Sequence, residues 1–353
     1  MTLSSATQTT ATQTSATQTT DYITLSQYRA APSVRPSDCL RVDSAPIETL
    51  AQGQVRVRND FMQIAAAMAD LMAEHPGLPM PAYRVDAPLW GGATGTVIES
   101  ASALPVGTVV SHTNGWRNET VGAADSFWPV PMDVLPGAEY ALNQGVTAYH
   151  GVVDIARVTE GDVVFVSGAA GGVGSLAGQI AKLCGAAMVI GSAGTDEKAA
   201  YLVEELGFDA ALNYRRGGLV EQLRALAPNG IDVFFDTVGG DHFEAAVHAA
   251  APGARFALCG TLAGQIDGGH GGHPRLDIMT AIVKQLEIRP FSTHHTHDQI
   301  QAWNEHYGMW LSQRKIVFPH TIVEGGLTAA PGALDRLLRG EYRGNVVVRL
   351  ALL

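Results

Sequence analysis

The sequence predicts an α/β protein of two domains, one a doubly wound parallel sheet and the other smaller and rich in β structure. Three observations lead there. At 353 residues the chain exceeds one ordinary domain. Between about residues 145 and 260, short apolar runs alternate with stretches of helical character, the signature of a parallel sheet covered on both faces. One run, DVVFVS, opens directly into the glycine-rich turn GAAGGVG at residues 168–174. Glycine makes up 39 of the 353 residues, an excess that tight turns and close backbone approaches would explain.

The elements follow in order. Residues 1–20 carry the repeat ATQT(T/S) and no large apolar side chain after Leu3, so they are expected to form a disordered tail. Residues 21–143 show β-like runs at 54–58, 95–99 and 107–111, broken by proline and glycine, with a helix expected over 64–74. Residues 144–300 form the dinucleotide-type domain. Its strands are expected at 163–167, 187–190, 210–213, 231–236 and 255–259, and its helices at 175–184, 198–206, 219–227 and 243–250. Residues 301–353 should return to the first domain through a strand at 345–350.

Composition removes several functions. With 34 acidic against 23 basic residues, the net charge of −11 argues against nucleic acid and anionic membranes as partners. The uncharged window 163–180 is broken by the glycine turn, so it reads as strand, turn and helix, not a membrane span. The first 20 residues lack the basic and apolar segments of a secretory signal. Cys39, Cys184 and Cys259 are too scattered for a disulfide framework, and a cytoplasmic location is expected.

The chemistry begins at the turn. Gly168, Gly171, Gly172 and Gly174, with Ala169 and Val173 between them, lie between a strand and a helix. Pyrophosphate can approach such a backbone and rest on the helix N-terminus. The next strand ends at Gly191 and Ser192, with no carboxylate placed to hold a ribose 2′-hydroxyl. Lys198 follows as a counter-charge and Arg215 as a supplement, so NADP(H) is expected over NAD(H).

These residues carry a resemblance. GAAGGVGSLAGQIAKLCGA, GSAGTDEKAAYLVEELGFDAALNYR and GIDVFFDTVGGDHFEAAV resemble the zinc-independent medium-chain dehydrogenase/reductases, closest to the NADPH-dependent alkenal double-bond reductases and prostaglandin reductases. The resemblance implies a Rossmann domain beside a GroES-like substrate domain, assembled as a homodimer acting on a small molecule. It implies that Gly171, Gly172, Val173 and Gly174 cradle the pyrophosphate and that Ser192, Lys198 and Tyr214 surround the 2′-phosphate. Cys259, Gly260 and Phe291 would line the nicotinamide side, with Thr147 near the ring, and Asn345 joins the cofactor set. The implied reaction is hydride transfer to the β-carbon of an α,β-unsaturated carbonyl.

The chain also departs from that pattern. Where the family has DPYMRG, residues 65–70 read AAAMAD. The family's GxNxGK becomes GEYRGN at 340–345, and no aromatic follows Cys259-Gly260-Thr261. A cavity that loses a tyrosine and an arginine is larger and less positive, so a bulky neutral enone is the expected substrate. Asn143, Tyr342 and His294 are the candidates to hold the enolate oxygen, and Trp90 is expected either to wall the pocket or to sit in the core. Two alternatives stay open: a quinone or carbonyl reductase, or a cofactor-binding protein without turnover. Zinc is not expected. Residues 92–95 read GATG where the zinc enzymes show His-Glu, and His294, His295 and His297 are neighbours on one loop, as are His270 and His273. No GxSxG elbow supports acyl transfer.

Overall fold

A computed structural model describes residues 18–267 and 272–351. The chain opens with an antiparallel ribbon of β1 (Thr19–Leu25) and β2 (Leu40–Pro46), running in register from Thr19 opposite Pro46 to Leu25 opposite Leu40. The expected tail of 1–20 is therefore too long by its last residues. Thr19 and Thr20 are paired, and Thr20 Oγ1 accepts the Glu119 N–H at 3.1 Å. Residues 1–17 lie outside the described residues.

The first lobe is a mixed sheet built on the long β3 (Gln54–Ile64). It continues through β4 (Ala93–Ser100), β5 (Val109–His112) and β7 (Trp128–Pro129), while β6 (Glu119–Ala123) pairs with β3. The helix expected over 64–74 is only α1 (Ala67–Asp70), because β3 runs on to Ile64. Met62, Ile64, Met68, Leu71 and Met72 are all buried together. Their apolar density reflects burial on every side, and that blurs the helical period.

The second lobe starts at α2 (Gly145–His150) and then alternates. β8 (Val163–Val166), α3 (Gly174–Leu183), β9 (Met188–Ala193), α4 (Asp196–Glu204) and β10 (Ala210–Asn213) form its first half. α5 (Leu219–Leu226), β11 (Ile231–Asp236), α6 (Gly240–Ala249), β12 (Ala250–Leu258), α7 (Leu262–Asp267), α8 (Ile278–Lys284) and β13 (Glu287–Pro290) form the second. The six strands pair in parallel in the order β10-β9-β8-β11-β12-β13, the doubly wound order with its reversal between β8 and β11. Phe165, Phe234 and Phe256 sit side by side on the central strands, with adjacent ring centroids 5.2 Å apart. No helix among the described residues is long and apolar enough to cross a membrane.

After α9 (His297–Ser312), β14 (His320–Val323) and α10 (Ala330–Leu338), the chain ends on β15 (Asn345–Arg349). β15 pairs antiparallel with β3, from Val346 opposite Ile64 to Arg349 opposite Phe61, so the expected return to the first lobe is observed. Where this strand begins it also meets the second lobe. Gly344 donates its N–H to the Ala170 carbonyl at 2.8 Å and bridges Gly171. Gly344 has φ +66°, and a Cβ there would collide with the Pro319 carbonyl, so only glycine fits. Asn345, 2% exposed, ties three segments: Oδ1 accepts the Gln144 N–H at 3.1 Å, and Nδ2 reaches the carbonyls of Gly172 and Pro319, both at 3.3 Å. Asn345→Leu keeps the branched shape and strands these groups. It should cost about 2–3 kcal/mol, read as a lower urea midpoint with an unchanged slope; an unchanged midpoint would show that the tie carries no stability.

Candidate functional site

A cleft of about 2540 Å³ runs between the lobes, and the glycine turn forms its floor. The turn is set by the ends of two strands. At the end of β11 the buried Asp236 carboxylate accepts the Ser167 hydroxyl at 2.7 Å and the N–H groups of Val238 and Gly239, each at 2.9 Å. Burial pushes its pKa up while these donors oppose the shift. Ser167 Oγ in turn accepts the Thr237 N–H at 2.8 Å. Gly168 follows with φ +56°, and a Cβ on it would lie 2.6 Å from Thr237 Oγ1. Gly174 is pressed on the same backbone, where a Cβ would come within 2.5 Å of the Gly168 carbonyl. Gly168, Gly171, Gly172, Val173 and Gly174 line the cleft. Ala169 does not; it is fully buried behind the turn and donates its N–H to the Ser192 carbonyl at 3.0 Å.

Beyond the turn lies a cationic end. Ser192 closes β9 and lines the cleft, its Oγ taking the Gly168 N–H at 3.3 Å. Lys198, half-buried on the first turn of α4, donates Nζ to the carbonyls of Gly340 (2.6 Å) and Tyr342 (2.5 Å) on the returning segment. Burial first, then the guanidinium groups of Arg343 and Arg215, hold its pKa below the ordinary lysine value. Arg215 lies over the Tyr214 ring at 5.9 Å, and Arg343 lies over Tyr201 at 4.7 Å while pairing with Glu197. Three cations therefore gather where a terminal phosphate would sit, with no carboxylate on β9 beneath them. This set fits a 2′-phosphorylated dinucleotide. Arg343 escapes sequence reasoning because it is about 145 residues from Lys198 and only the return of the chain brings it there.

The other end is lined on one side by Cys259 and Gly260, which follow β12 and donate their N–H groups to the Asp236 carbonyl at 2.8 and 3.1 Å. Burial pushes the Cys259 thiol up to about 12, so it is an inert wall. Thr147 on α2 also lines the cleft, with Oγ1 2.8 Å from His295 Nε2. Phe291 is not in the lining; it packs behind, against Gly151 and edge-on to Phe235 and His150. The apolar wall comes from the first lobe: Ile64, Ala65, Met68, Leu71 and Trp90. Trp90 is thus both core and pocket wall, and its Nε1 is buried without a partner. Asp70 crosses the cleft to accept from Gln265 Nε2 at 2.5 Å.

The three oxyanion candidates separate. Asn143 borders the cleft, but its amide is committed: Nδ2 to the Tyr140 carbonyl at 2.8 Å, Oδ1 from the Gly145 N–H and Trp303 Nε1, both at 2.9 Å. It holds the start of α2. His294 is exposed and outside the lining, its N–H on Ser292 Oγ; the neighbouring His295 is the histidine that faces the cleft. Tyr342 lines the cleft, its ring under the Arg336 guanidinium at 4.8 Å and its hydroxyl without a partner. Asn345, placed with the cofactor residues from sequence, spends every polar atom on the protein and acts by fixing the turn. Among the described residues no three His, Cys, Asp or Glu side chains gather as a metal site.

Comparison with known proteins agrees with this architecture. Residues 27–130 match the model described as N-terminal domain of oxidoreductase, and residues 172–306 the model described as zinc-binding dehydrogenase. The chain is 36% identical over 275 residues to prostaglandin reductase 1 of Mus musculus, covering 74% of this chain and 81% of that protein. It is 30% identical over 321 residues to the NADPH-dependent curcumin reductase of Escherichia coli K12, covering 88% and 92%. The crystal structure of CurA from Vibrio vulnificus in complex with NADPH superposes with a TM-score of 0.85 at 29% identity, covering 94% of this chain and all of that one. With both lobes matched and relatives of this identity spanning most of their length, the chain belongs to the medium-chain dehydrogenase/reductase superfamily of oxidoreductases.

Proposed function

We propose that this protein is an NADPH-dependent reductase of the carbon–carbon double bond of α,β-unsaturated carbonyl compounds, with a bulky neutral enone as substrate. The observation that carries the reading is the cleft itself. A glycine turn and a three-cation end are joined to an apolar wall. The names of relatives point the same way: one is NADPH-dependent, and curcumin is itself a conjugated enone.

When bound, NADPH supplies a hydride to the electrophilic β-carbon. The protein's part is placement and electrostatics. The turn and the N-terminus of α3 receive the pyrophosphate, while Lys198, Arg215 and Arg343 hold the 2′-phosphate and fix the dinucleotide in register. Ile64, Met68, Leu71 and Trp90 exclude water and accept an apolar substrate body. Negative charge develops on the carbonyl oxygen. Trp90 Nε1 on this wall and the Tyr342 hydroxyl on the returning segment both line the cleft without a partner, and an acceptor there would relieve the cost of leaving them unmade.

The assembly proposed is a homodimer. Ile278, Met279, Ile282 and Val283 of α8 are 58–74% exposed beside β13, the edge strand of the six-stranded sheet. Light scattering should give twice the chain mass for the native protein and the chain mass for Val283→Glu; a native monomer would refute the pairing.

Lys198→Ala should weaken NADPH about tenfold, roughly 1–2 kcal/mol, and leave NADH almost unchanged, as followed by cofactor fluorescence. Equal losses for both cofactors would contradict the phosphate assignment. For the reaction, NADPH oxidation should be fastest with bulky cyclic enones and yield a saturated product with its carbonyl intact. Consumption with quinones alone, or an alcohol product, would overturn the double-bond reading.

A further inference from the structure

We infer that His295, acting through the Thr147 hydroxyl, delivers the proton taken up at the substrate α-carbon, an inference that rests on the reductase reading above. The hydroxyl and the imidazole Nε2 are 2.8 Å apart, and both residues line the cleft. Of the other titratable groups described in the cleft, Asp70 is held by Gln265 and Cys259 is kept protonated by burial, while Tyr342 belongs to the returning segment beside Lys198. His295 comes from the loop before α9 and Thr147 from α2, so the pair exists only because those two helices pack together.

The surroundings of His295 set its acidity, while its Nδ1 is buried without a partner. Its ring is half-buried and lies edge-on to His150, with centroids 5.8 Å apart. His150 Nδ1 is 2.7 Å from the Asp154 carboxylate, which is about half exposed and open to water. Gln299 Nε2 lies 3.1 Å from His150 Nδ1 and orients that ring. The titratable groups facing His295 are thus His150, backed by Asp154, and the adjacent His294. Burial, His150 and His294 together lower the His295 pKa, and the imidazolium becomes a stronger acid than a free one.

The step balances. The enolate α-carbon forms its C–H bond with the Thr147 hydroxyl proton while Oγ1 takes the proton of His295 Nε2. The imidazolium is left neutral, retaining its proton on Nδ1. Solvent reached through the cleft then returns a proton to Nε2. Counted with the hydride, the substrate gains two hydrogens and becomes the saturated carbonyl, and one proton is drawn from water. His295 is a relay residue, and Thr147 is the group that meets the substrate.

The test uses the full-length protein with NADPH and a prochiral α-substituted cyclic enone in deuterated water. The native enzyme should place deuterium on one face of the α-carbon, and kcat should fall as pH rises through a value below the ordinary 6.5 of histidine. His295→Gln should lower kcat about 100-fold, abolish that pH limb and scramble the α-carbon label. A His295→Gln enzyme with native kcat, native label and the same limb would overturn the proposal. If the native protein reduces no enone, the reductase reading fails instead. An independent readout needs no turnover: in cofactor-free protein, ¹⁵N NMR should show the His295 Nε2 resonance moved by Thr147→Val and restored by Thr147→Ser. A resonance indifferent to both would break the relay at its first link.

Discussion

The docking of the returning chain on the glycine turn is the contact on which the site depends. One short segment, Gly344 and Asn345, bonds the carbonyls of Ala170 and Gly172 and caps the Gln144 N–H. The strand it starts then continues the sheet of the other lobe beside β3. A turn that must accept pyrophosphate has to be both open and fixed. Glycine supplies the openness at the cost of chain entropy, and the rigidity comes from the buried carboxylate of Asp236 on one side and the amide of Asn345 on the other. The same return carries Tyr342 and Arg343 into the cleft, so the wall and the phosphate end are positioned by one segment.

Electrostatics divides the molecule in a similar way. The chain as a whole carries a formal charge of −11, yet burial and then the nearby Arg343 and Arg215 guanidinium groups lower the Lys198 pKa. Such a cluster costs free energy until an anion arrives, and that cost becomes preference for a phosphorylated ligand over its dephosphorylated analogue. In the structure Lys198 rests on two backbone carbonyls of the returning segment. Phosphate binding would exchange those contacts, which couples the cofactor to the very segment that closes the cleft.

Much of this was legible in the sequence and some of it was not. The alternation after residue 145 placed each parallel strand through β12 within a few residues, because a strand buried on both faces has to be apolar throughout. The glycine spacing located the turn. The expected helix at 64–74 failed because residues of the first-lobe core are apolar on every side and lose their period. Asn143 and Asn345 looked like ligand contacts; only the three-dimensional structure shows their amides engaged within the protein. His294 and His295 are adjacent and chemically identical in sequence. What separates them is placement on the loop, which leaves His294 exposed and sets His295 against Thr147. Arg343 and Asp236 were missed for a related reason: their roles are set by partners far away along the chain.

If one dinucleotide binds both lobes where they join at the turn, its effect reaches the returning segment together with the second lobe. Hydrogen exchange followed by mass spectrometry, with and without NADPH, measures this most directly. Peptides covering 168–174, 192–198 and 340–345 should gain protection together. Protection confined to the second lobe, with 340–345 unchanged, would contradict it.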